Sequence, residues 1–399
     1  MSDTMLLSSE ILDFVREHLD DDPARLQFQR KNYPDNRVDI AVEQIHARAR
    51  IKDKLPSWFA HPGIFYPSAL ATEQCSSELT AGYKACLISG NTLCDLTGGM
   101  GVDSYFFSRS TGRVIYVEQN PSYCEAARYN FSILGANNIE VIHGNGTQVA
   151  GTLAADTYYI DPSRRTHDNK RIFALADYEP NVLEIKENIL SRGSRLIVKI
   201  SPMADITAVL RLLPETTEVH VLSVKNECKE LLFVLDTTPG QHALTIHAVN
   251  FPASRIVQRF TFTPEDEREA QPDMTDTVGQ YLYEPNSSIL KSGAFKIPAN
   301  RYGLKKLHRH SHLYTGDTLI GNFPGRIFQV EEVFDFSSKW LKQIAKTIPK
   351  ANITTRNFKI SANEIRSRSK MKEGGDIFLL ATTLNNEKAV VIRCRKPEN

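Results

Sequence analysis

The sequence predicts an α/β protein: a doubly wound sheet of seven strands, mostly parallel and closed by an antiparallel hairpin, with a helical region before it and an α+β module after it. Three observations predict this. From Thr92 to Ser201, short apolar runs of β-type residues alternate with helix-period segments, the pattern of parallel strands covered on both faces. The last two runs, TEVHVLSV and KELLFVLD, are joined only by KNEC, a link too short for a crossover, so they must pair antiparallel. From Lys291 onward the charge balance changes sign: 21 Lys and Arg stand against 9 Asp and Glu, while the rest of the chain balances at −11 within a net charge of +1.

Residues 1–70 read as a helical N-terminal region. Ser8 or Ser9 is placed to cap SSEILDFVREHLD, and VDIAVEQIHARARIKDKL carries Val38, Val42, Ile45 and Ala49 at helical spacing. The sheet domain is expected over 71–240, entered through the loop and helix of FYPSALATEQCSSELTAGYKACLIS. Its strands are TLCDL, RVIYVE (113–118), IEVIHGN (139–145), TYYIDP (157–162), RLIVKIS (195–201) and the two hairpin runs. Helices VDSYFFSRS, PSYCEAARYNFSILG, TQVAGTLA, YEPNVLEIKENILSRG and ADITAVLRLLP lie between them. Residues 241–330 read as a connector and the opening of a new module: a strand HALTIHAVNF, an acidic stretch EDEREAQPDMTD, then YLYEPNSSILKSG. Residues 331–399 read as a compact basic α+β unit with a strand, a basic helix, a Gly374-Gly375 turn and two terminal strands.

At 399 residues the chain is long enough for two or three domains with their own cores. No run approaches the ~18 apolar residues of a membrane span, and the early acidic residues of MSDTMLLSSEILDFVREHLDDDPA predict no secretory signal. Six scattered cysteines without a C-x-x-C pair argue for reduced thiols in the cytoplasm, against disulfide or zinc frameworks. An acidic body with a basic end implies a polyanionic partner, nucleic acid; a solvated basic face is the plainer alternative.

The first strand ends in CDLTGGMGVDS, where Gly98, Gly99 and Gly101 forfeit packing and lose extra backbone entropy. Either the turn is too tight for a Cβ or a ligand approaches its backbone. Ligands of such sheets sit at the carboxyl ends of the strands. Glu118 closes the second strand, 17 residues beyond Gly101, where an acid suits the hydroxyls of a ribose, and Gln119 follows it. The third strand ends at HGNG, where Asn145 offers an amide to an adenine edge beside Gly146. A nicotinamide dinucleotide is the competing ligand, but Gly99-Met-Gly101-Val-Asp-Ser lacks the third glycine of its fingerprint. A pyrophosphate is also ill served by Asp95 and Asp103 on either side of the turn. S-adenosylmethionine, with its sulfonium and ammonium, suits that charge better.

DLTGGMGVDSYFF, VIYVEQNP, HGNG and YIDPSRR resemble motifs I to IV of the class I S-adenosylmethionine-dependent methyltransferases, whose fold is Rossmann-like with a terminal antiparallel hairpin. Over nearly its whole length the chain resembles a bacterial family in which such a domain follows a helical N-terminus and precedes a ferredoxin-like piece and a THUMP-like domain; YLYEPNSSILKSG and the final basic module carry that part. The core motifs are also similar to trimethylguanosine synthase, an RNA guanine-N2 methyltransferase. The resemblance implies that Asp95, Thr97, Gly98, Gly99 and Gly101 shape the methionine pocket. It implies that Glu118 with Gln119 holds the ribose, and that Asn145 with Gly146 meets the adenine, where many relatives carry Asp. SSELTAGYKA resembles the segment that closes over the donor, with Ser76, Ser77 and Thr80 as its candidates; an ordinary helix cap is the alternative.

The same resemblance places acceptor chemistry at Asp161-Pro162-Ser163, where amino-methyltransferases present D-P-P-Y, N-P-P-F or S-P-P-W. An exocyclic amine is conjugated and poorly nucleophilic, and hydrogen bonds from a carboxylate and a carbonyl localise its lone pair toward the methyl group. Here Ser163 replaces the second proline and Arg164 the aromatic residue. Arg164 and Arg165 can stack on a base or hold a phosphate; a solvated loop pair is the alternative. Lys199 and Ser201-Pro202, at the end of the fifth strand, can line the acceptor pocket, or Lys199 can pair with a nearby acid. His308, His310 and His312 of LHRHSH have no Cys or carboxylate cluster with them, so no metal is predicted. Cys94 and Cys124 lie on elements unsuited to a nucleophile.

These readings predict an RNA methyltransferase using S-adenosylmethionine on a base amine, guanine N2 or adenine N6, of tRNA or rRNA. The alternatives are a DNA, protein or small-molecule methyltransferase, a non-catalytic RNA-binding protein with a vestigial donor pocket, and, third, a nicotinamide-dependent oxidoreductase.

Overall fold

Each apolar run forms a strand where its composition predicts one. Strands β1 (Thr92–Asp95), β2 (Arg113–Glu118), β3 (Ile139–His143), β4 (Thr157–Ile160) and β5 (Arg195–Ile200) pair in parallel, β1 between β2 and β4. Strands β6 (Thr216–Val224) and β7 (Glu227–Leu235) follow as a hairpin, with β7 antiparallel to β5. The resulting order is β3-β2-β1-β4-β5-β7-β6. This computed structural model describes residues 8–33, 36–164, 178–192, 194–236, 243–254 and 256–397, and of Ser163, Arg164 and Tyr178 the backbone alone. The chain divides into two compact units, Met1–Glu218 with Leu231–His242 and Val219–Glu230 with Ala243–Asn399.

The parallel strands are covered on both faces, so consecutive residues are buried: Tyr158, Tyr159 and Ile160 on β4, Leu196, Ile197 and Val198 on β5. Leu93, Phe107, Val114, Tyr159, Ile197 and Val234 form one of the resulting core clusters. Each such large side chain contributes roughly 1.5–3 kcal/mol by leaving water. The β6–β7 reversal takes two residues, Lys225 (φ +50°) and Asn226 (φ +65°), both left-handed as a type I′ turn requires.

The sheet does not stop at seven strands. The expected strand HALTIHAVNF is β8 (Thr245–Phe251); with β9 (Gln258–Phe262) it continues the same sheet past β6, making nine strands. The sequence marks β8 as a strand but carries no local sign of its partner, because sheet pairing is non-local.

In the N-terminal region Ser8 caps the helix Ser9–His18, its Oγ accepting from the Ile11 N–H. The helix Arg37–Ile51 presents a buried face different from the expected one: Val38, Ala41, Ala47 and Ile51 are buried, whereas Val42 and Ile45 are half-buried and Ala49 is exposed. That face includes Gln44, a polar residue whose side chain exchanges two hydrogen bonds of 2.8 Å with the Tyr66 backbone.

The second unit holds a seven-stranded sheet of β10 (Tyr281–Pro285), β11 (Lys305–Lys306), β12 (Tyr314–Gly316), β13 (Gly325–Asp335), β14 (Lys350–Arg356), β15 (Lys372–Thr383) and β16 (Ala389–Arg395), ordered β11-β12-β10-β13-β16-β15-β14. The helices Ser338–Thr347 and Ala362–Ser369 bury Leu341, Ile344 and Ile365 in one core with Leu379 and Val391. Gly374 and Gly375 do not form the expected turn ahead of the terminal strands. They form a bulge within β15, both at positive φ (+97° and +83°), where the ladder jumps from Ala351↔Glu373 to Asn352↔Phe378. Buried Glu284 is held by the guanidinium groups of Arg326 and Arg356, with Nε–O distances of 2.6 and 2.9 Å, as a buried charge must be. Among the described residues no helix is long and apolar enough to cross a membrane.

The hairpin offers a direct check. Lys225 occupies a left-handed position with a side chain that disfavours it, so Lys225→Gly should raise stability by about 0.5–1 kcal/mol, read as a higher calorimetric melting temperature; an unchanged or lower one would refute the turn assignment.

Candidate active site

The tips of β1 to β4 converge on the backbone of residues 96–99. Gly98 donates its N–H to the Val117 carbonyl (2.8 Å), and Gly99 donates to Glu118 Oε2 (2.8 Å). The Tyr116 hydroxyl donates to the Gly99 carbonyl (2.6 Å), while the Asp161 N–H donates to Thr97 Oγ1 (2.7 Å). Residues from motifs I, II and IV of the sequence are thereby tied to one another. Motif III joins them by close packing, since a Cβ on Gly146 would lie 2.3 Å from the Leu96 carbonyl oxygen.

The three glycines of the turn have different reasons. A Cβ on Gly98 would stand 2.2 Å from the Tyr116 ring, and one on Gly101, at φ +86°, would stand 2.7 Å from Phe131. Those two are demanded by packing. Gly99, at φ +54°, has nothing nearer to such a Cβ than the Thr97 carbonyl oxygen at 3.8 Å. Its open side is a cradle that a side chain would fill.

The carboxylates around the turn are held in distinct ways. Asp95 is buried; its Oδ1 accepts from the Thr97 N–H (3.0 Å) and its Oδ2 from the Ser104 hydroxyl (2.6 Å). Burial pushes its pKa up to about 7, against the lowering effect of those hydrogen bonds. Asp95 therefore braces the turn from beneath. Glu118 accepts from Gly99 with one oxygen and from the Asn120 N–H (2.8 Å) with the other. Asp161 is half-exposed and accepts from the Lys199 ammonium. Pro162 beside it is buried.

The remaining expected residues fall as follows. Asn145 is the N-cap of the helix Gly146–Thr152, its Oδ1 accepting from Thr147 N (2.9 Å) and Gln148 N (3.3 Å). The Gln119 carbonyl contacts His143 Nε2 at 3.0 Å. Ser77 caps the helix Glu78–Ala85 by accepting from the Thr80 N–H. Ser163 and Arg164 pair along the backbone with Glu179 and Tyr178 in a two-stranded ribbon; Arg165 lies outside the described residues. His308 of LHRHSH accepts at Nδ1 from the His310 N–H (3.1 Å) and lies 2.8 Å from Asn357 Nδ2.

Sequence reasoning missed Lys84. It is fully buried, with its ammonium 2.9 Å from Asp103 Oδ1 and 2.6 Å from the Ser76 hydroxyl; Ser76 and Tyr159 hydroxyls also donate to Asp103 Oδ2 (2.8 and 2.9 Å). Burial would raise the Asp103 pKa, but the Lys84 charge and these bonds hold it below the ordinary carboxylate range. The network fixes the helix Glu78–Ala85 to the helix Val102–Ser108 that leaves the glycine turn. The signal was a lysine on an otherwise small and apolar helix face.

A cavity of about 410 Å³ lined by Ser89, Asp156, Arg192 and Arg195 lies at the opposite edge, at the amino ends of the strands. Its cations are internally engaged: Arg195 with Asp236, and Arg192 with the carbonyls of Ala150, Gly151 and Leu153. The chemistry-bearing residues are at the carboxyl edge.

A parallel sheet ending in this hairpin, with motifs I to IV at its carboxyl edge, defines the class I methyltransferase fold. The structure aligns with that of a candidate methyltransferase from Porphyromonas gingivalis W83 at 35% identity and a TM-score of 0.90, covering 99% of this chain and 100% of that one. Residues 281–324 match a family described as a ferredoxin-like domain, and residues 325–396 one described as THUMP domain-like. The chain belongs to this bacterial family of class I methyltransferases with ferredoxin-like and THUMP-like C-terminal domains. An rRNA methylase of Streptococcus thermophilus aligns at 19% identity, over 40% of this chain and 93% of that one, with a TM-score of 0.30. A Streptococcus mutans protein solved with S-adenosylhomocysteine aligns at 18%, over 40% and 96%, with a TM-score of 0.31. No protein of curated function matches the sequence.

Asp95 makes the site pH-sensitive with a defined sign. Its folded pKa of about 7 lies above its unfolded value, so the folded state binds the extra proton and stability falls as pH rises from about 4 to about 7. Asp95→Asn should flatten that part of the profile in denaturant titrations; an undiminished decline would mean another group is responsible.

Proposed function

We propose that this protein is a cytoplasmic S-adenosylmethionine-dependent methyltransferase that modifies an exocyclic base amine, guanine N2 or adenine N6, of transfer or ribosomal RNA. The observation that carries this reading is the convergence at Thr97–Gly99, which sets the open side of Gly99, the Glu118 carboxylate and the tip carrying Asp161 on one short backbone. Family membership supports methyl transfer, and the THUMP-like match with the +12 balance from Lys291 onward supports an RNA acceptor by analogy.

When bound, S-adenosylmethionine supplies an electrophilic methyl group on a sulfonium. Thr97, Gly98, Gly99 and Gly101 would form its methionine cradle, braced by Asp95, and Ser77 would close the segment above it. Glu118, with Gln119, would take the ribose hydroxyls. Asn145, whose carbonyl is committed to its helix cap, would offer its amide N–H groups to the adenine beside Gly146. Asp161 would accept an N–H of the base amine with Pro162 and Ser163 shaping the approach, turning the nitrogen lone pair toward the methyl carbon. With the methyl group transferred from sulfur to nitrogen, Asp161 would guide the displaced amine proton out to solvent. Lys199, expected either to line the acceptor pocket or to pair with a nearby acid, would position Asp161 through their ion pair. Arg164 and Arg165 would meet the base or its phosphate.

The decisive assay incubates purified protein and tritiated S-adenosylmethionine with total RNA from a strain lacking the gene. Label in one RNA size class is expected; none in RNA, with donor binding intact by calorimetry, would redirect the search to other acceptors. Asp161→Ala should lower turnover at least about a hundredfold with donor affinity unchanged, and surviving turnover would overturn the acceptor assignment. Glu118→Ala should weaken donor binding by roughly a hundredfold or more, the loss of two hydrogen bonds to a charged group at about 1.5–3 kcal/mol each; an unchanged affinity would remove the ribose assignment.

A further inference from the structure

The THUMP-like region separates its positive charges into two populations. Every arginine of 325–396 is held by a carboxylate: Arg326 and Arg356 by Glu284, Arg366 by Glu373, Arg368 by Glu364, Arg393 and Arg395 by Glu331. The lysines of the helix Ser338–Thr347 are different. Lys339, Lys342 and Lys346 are exposed, and no carboxylate lies within ion-pair distance of any of them among the described residues. At steps of three and four residues they share one helix face, opposite Leu341 and Ile344, which are sunk in the core. With a rise of 1.5 Å per residue the row is about 10 Å long, enough to meet a few consecutive phosphates of one strand.

Local energetics do not account for this row. Lys339 stands in the first turn, which contains no acidic residue; the positive end of the helix dipole disfavours a cation there. Only Lys346, in the last turn, gains from the dipole. Just beyond the helix, Lys350 and Lys372 face one another in the β14–β15 ladder, a like-charge juxtaposition that costs stability unless a counter-charge covers it. Both are exposed and, among the described residues, without a carboxylate partner. A surface that accumulates unpaired lysines while pairing all its arginines is organised around an anion from outside the chain.

We propose that the Lys339–Lys342–Lys346 face, continued by Lys350 and Lys372, is the surface on which the THUMP-like domain docks the phosphate backbone of RNA. This rests on the RNA reading above and names the part of the molecule that would carry it. The contact is electrostatic and reads no base, so it would serve affinity and leave acceptor choice to the Asp161 edge.

The test measures binding of bulk bacterial tRNA by the full-length protein as a function of salt. Each lysine–phosphate contact contributes about 0.7–0.9 to the slope of log K against log salt. The triple variant K339Q/K342Q/K346Q should therefore lower that slope by roughly 2 to 3, and K339R/K342R/K346R should restore it. R366Q/R368Q, which removes paired cations, should leave it nearly unchanged. An unchanged thermal melt and circular dichroism spectrum would show that the triple variant is folded. If wild-type protein binds tRNA steeply with salt and the triple variant has the same slope, the proposed surface is wrong while the RNA reading stands. If wild-type protein binds neither tRNA nor rRNA at low salt, both fall. Equal competition by duplex DNA with the same dependence on the three lysines would overturn RNA as the partner.

Discussion

The hydrogen bond from the Gly99 N–H to Glu118 is the contact on which the candidate site depends. It joins the tip of β1 to the tip of β2 across a turn that has no side chain to stiffen it. Three further ties, Gly98 to Val117, Tyr116 to Gly99 and Asp161 to Thr97, hold the same few backbone atoms from different strands. A flexible glycine segment pays heavily in entropy for adopting one conformation, and here neighbouring strands fix it. The backbone at Gly99 is thus fixed by the sheet itself, the kind of preorganisation that lowers the ordering cost of any binding event.

Glycine alone does not distinguish tight packing from a ligand site, and the structure resolves the ambiguity residue by residue. Gly98 and Gly101 are excluded from bearing a Cβ by Tyr116 and Phe131, whereas Gly99 is left with open space. All three look alike in the string GGMG. What separates them is the position of aromatic rings eighteen and thirty residues downstream, which only the parallel pairing of β1 with β2 and the packing of the helix Pro121–Ile133 bring near.

The same limit explains what else was legible. Strands β1 to β7 were readable because each apolar run ends at a turn, and KNEC dictated its own hairpin. The extension of the sheet by β8 and β9 was not, since the pairing of β8 with β6 is a fact about distant segments. The Gly374-Gly375 pair shows local chemistry read correctly and placed wrongly: positive φ was required, but β15 continues through it because β14 rejoins its ladder beyond the bulge. Gln44 misled the helical period for a related reason, as a polar residue becomes a core residue once Tyr66 satisfies its amide. The carboxylates at the strand tips were identifiable by position, but their partners were not. Lys199 and Lys84 belong to elements far from the acids they meet.

Those two lysines give the site its electrostatic character. Asp161 and Asp103 would add negative charge near the turn, yet each is matched by an ammonium, and Asp95 is held by burial near the border between its charged and neutral forms. Glu118 then remains as an acid whose partners, among the described residues, are backbone N–H groups. Buried ion pairs contribute little net stability, because desolvation offsets most of their attraction. Lys84 in particular is fully buried on a helix that apolar residues could seat as well. Its ammonium meets Asp103, Ser76 and Tyr159 at once, and that is a geometric constraint an apolar contact would not impose. The pair is best understood as positional: it sets where the helix Glu78–Ala85, with Ser76 just ahead of it, lies against the helix that follows the glycine turn.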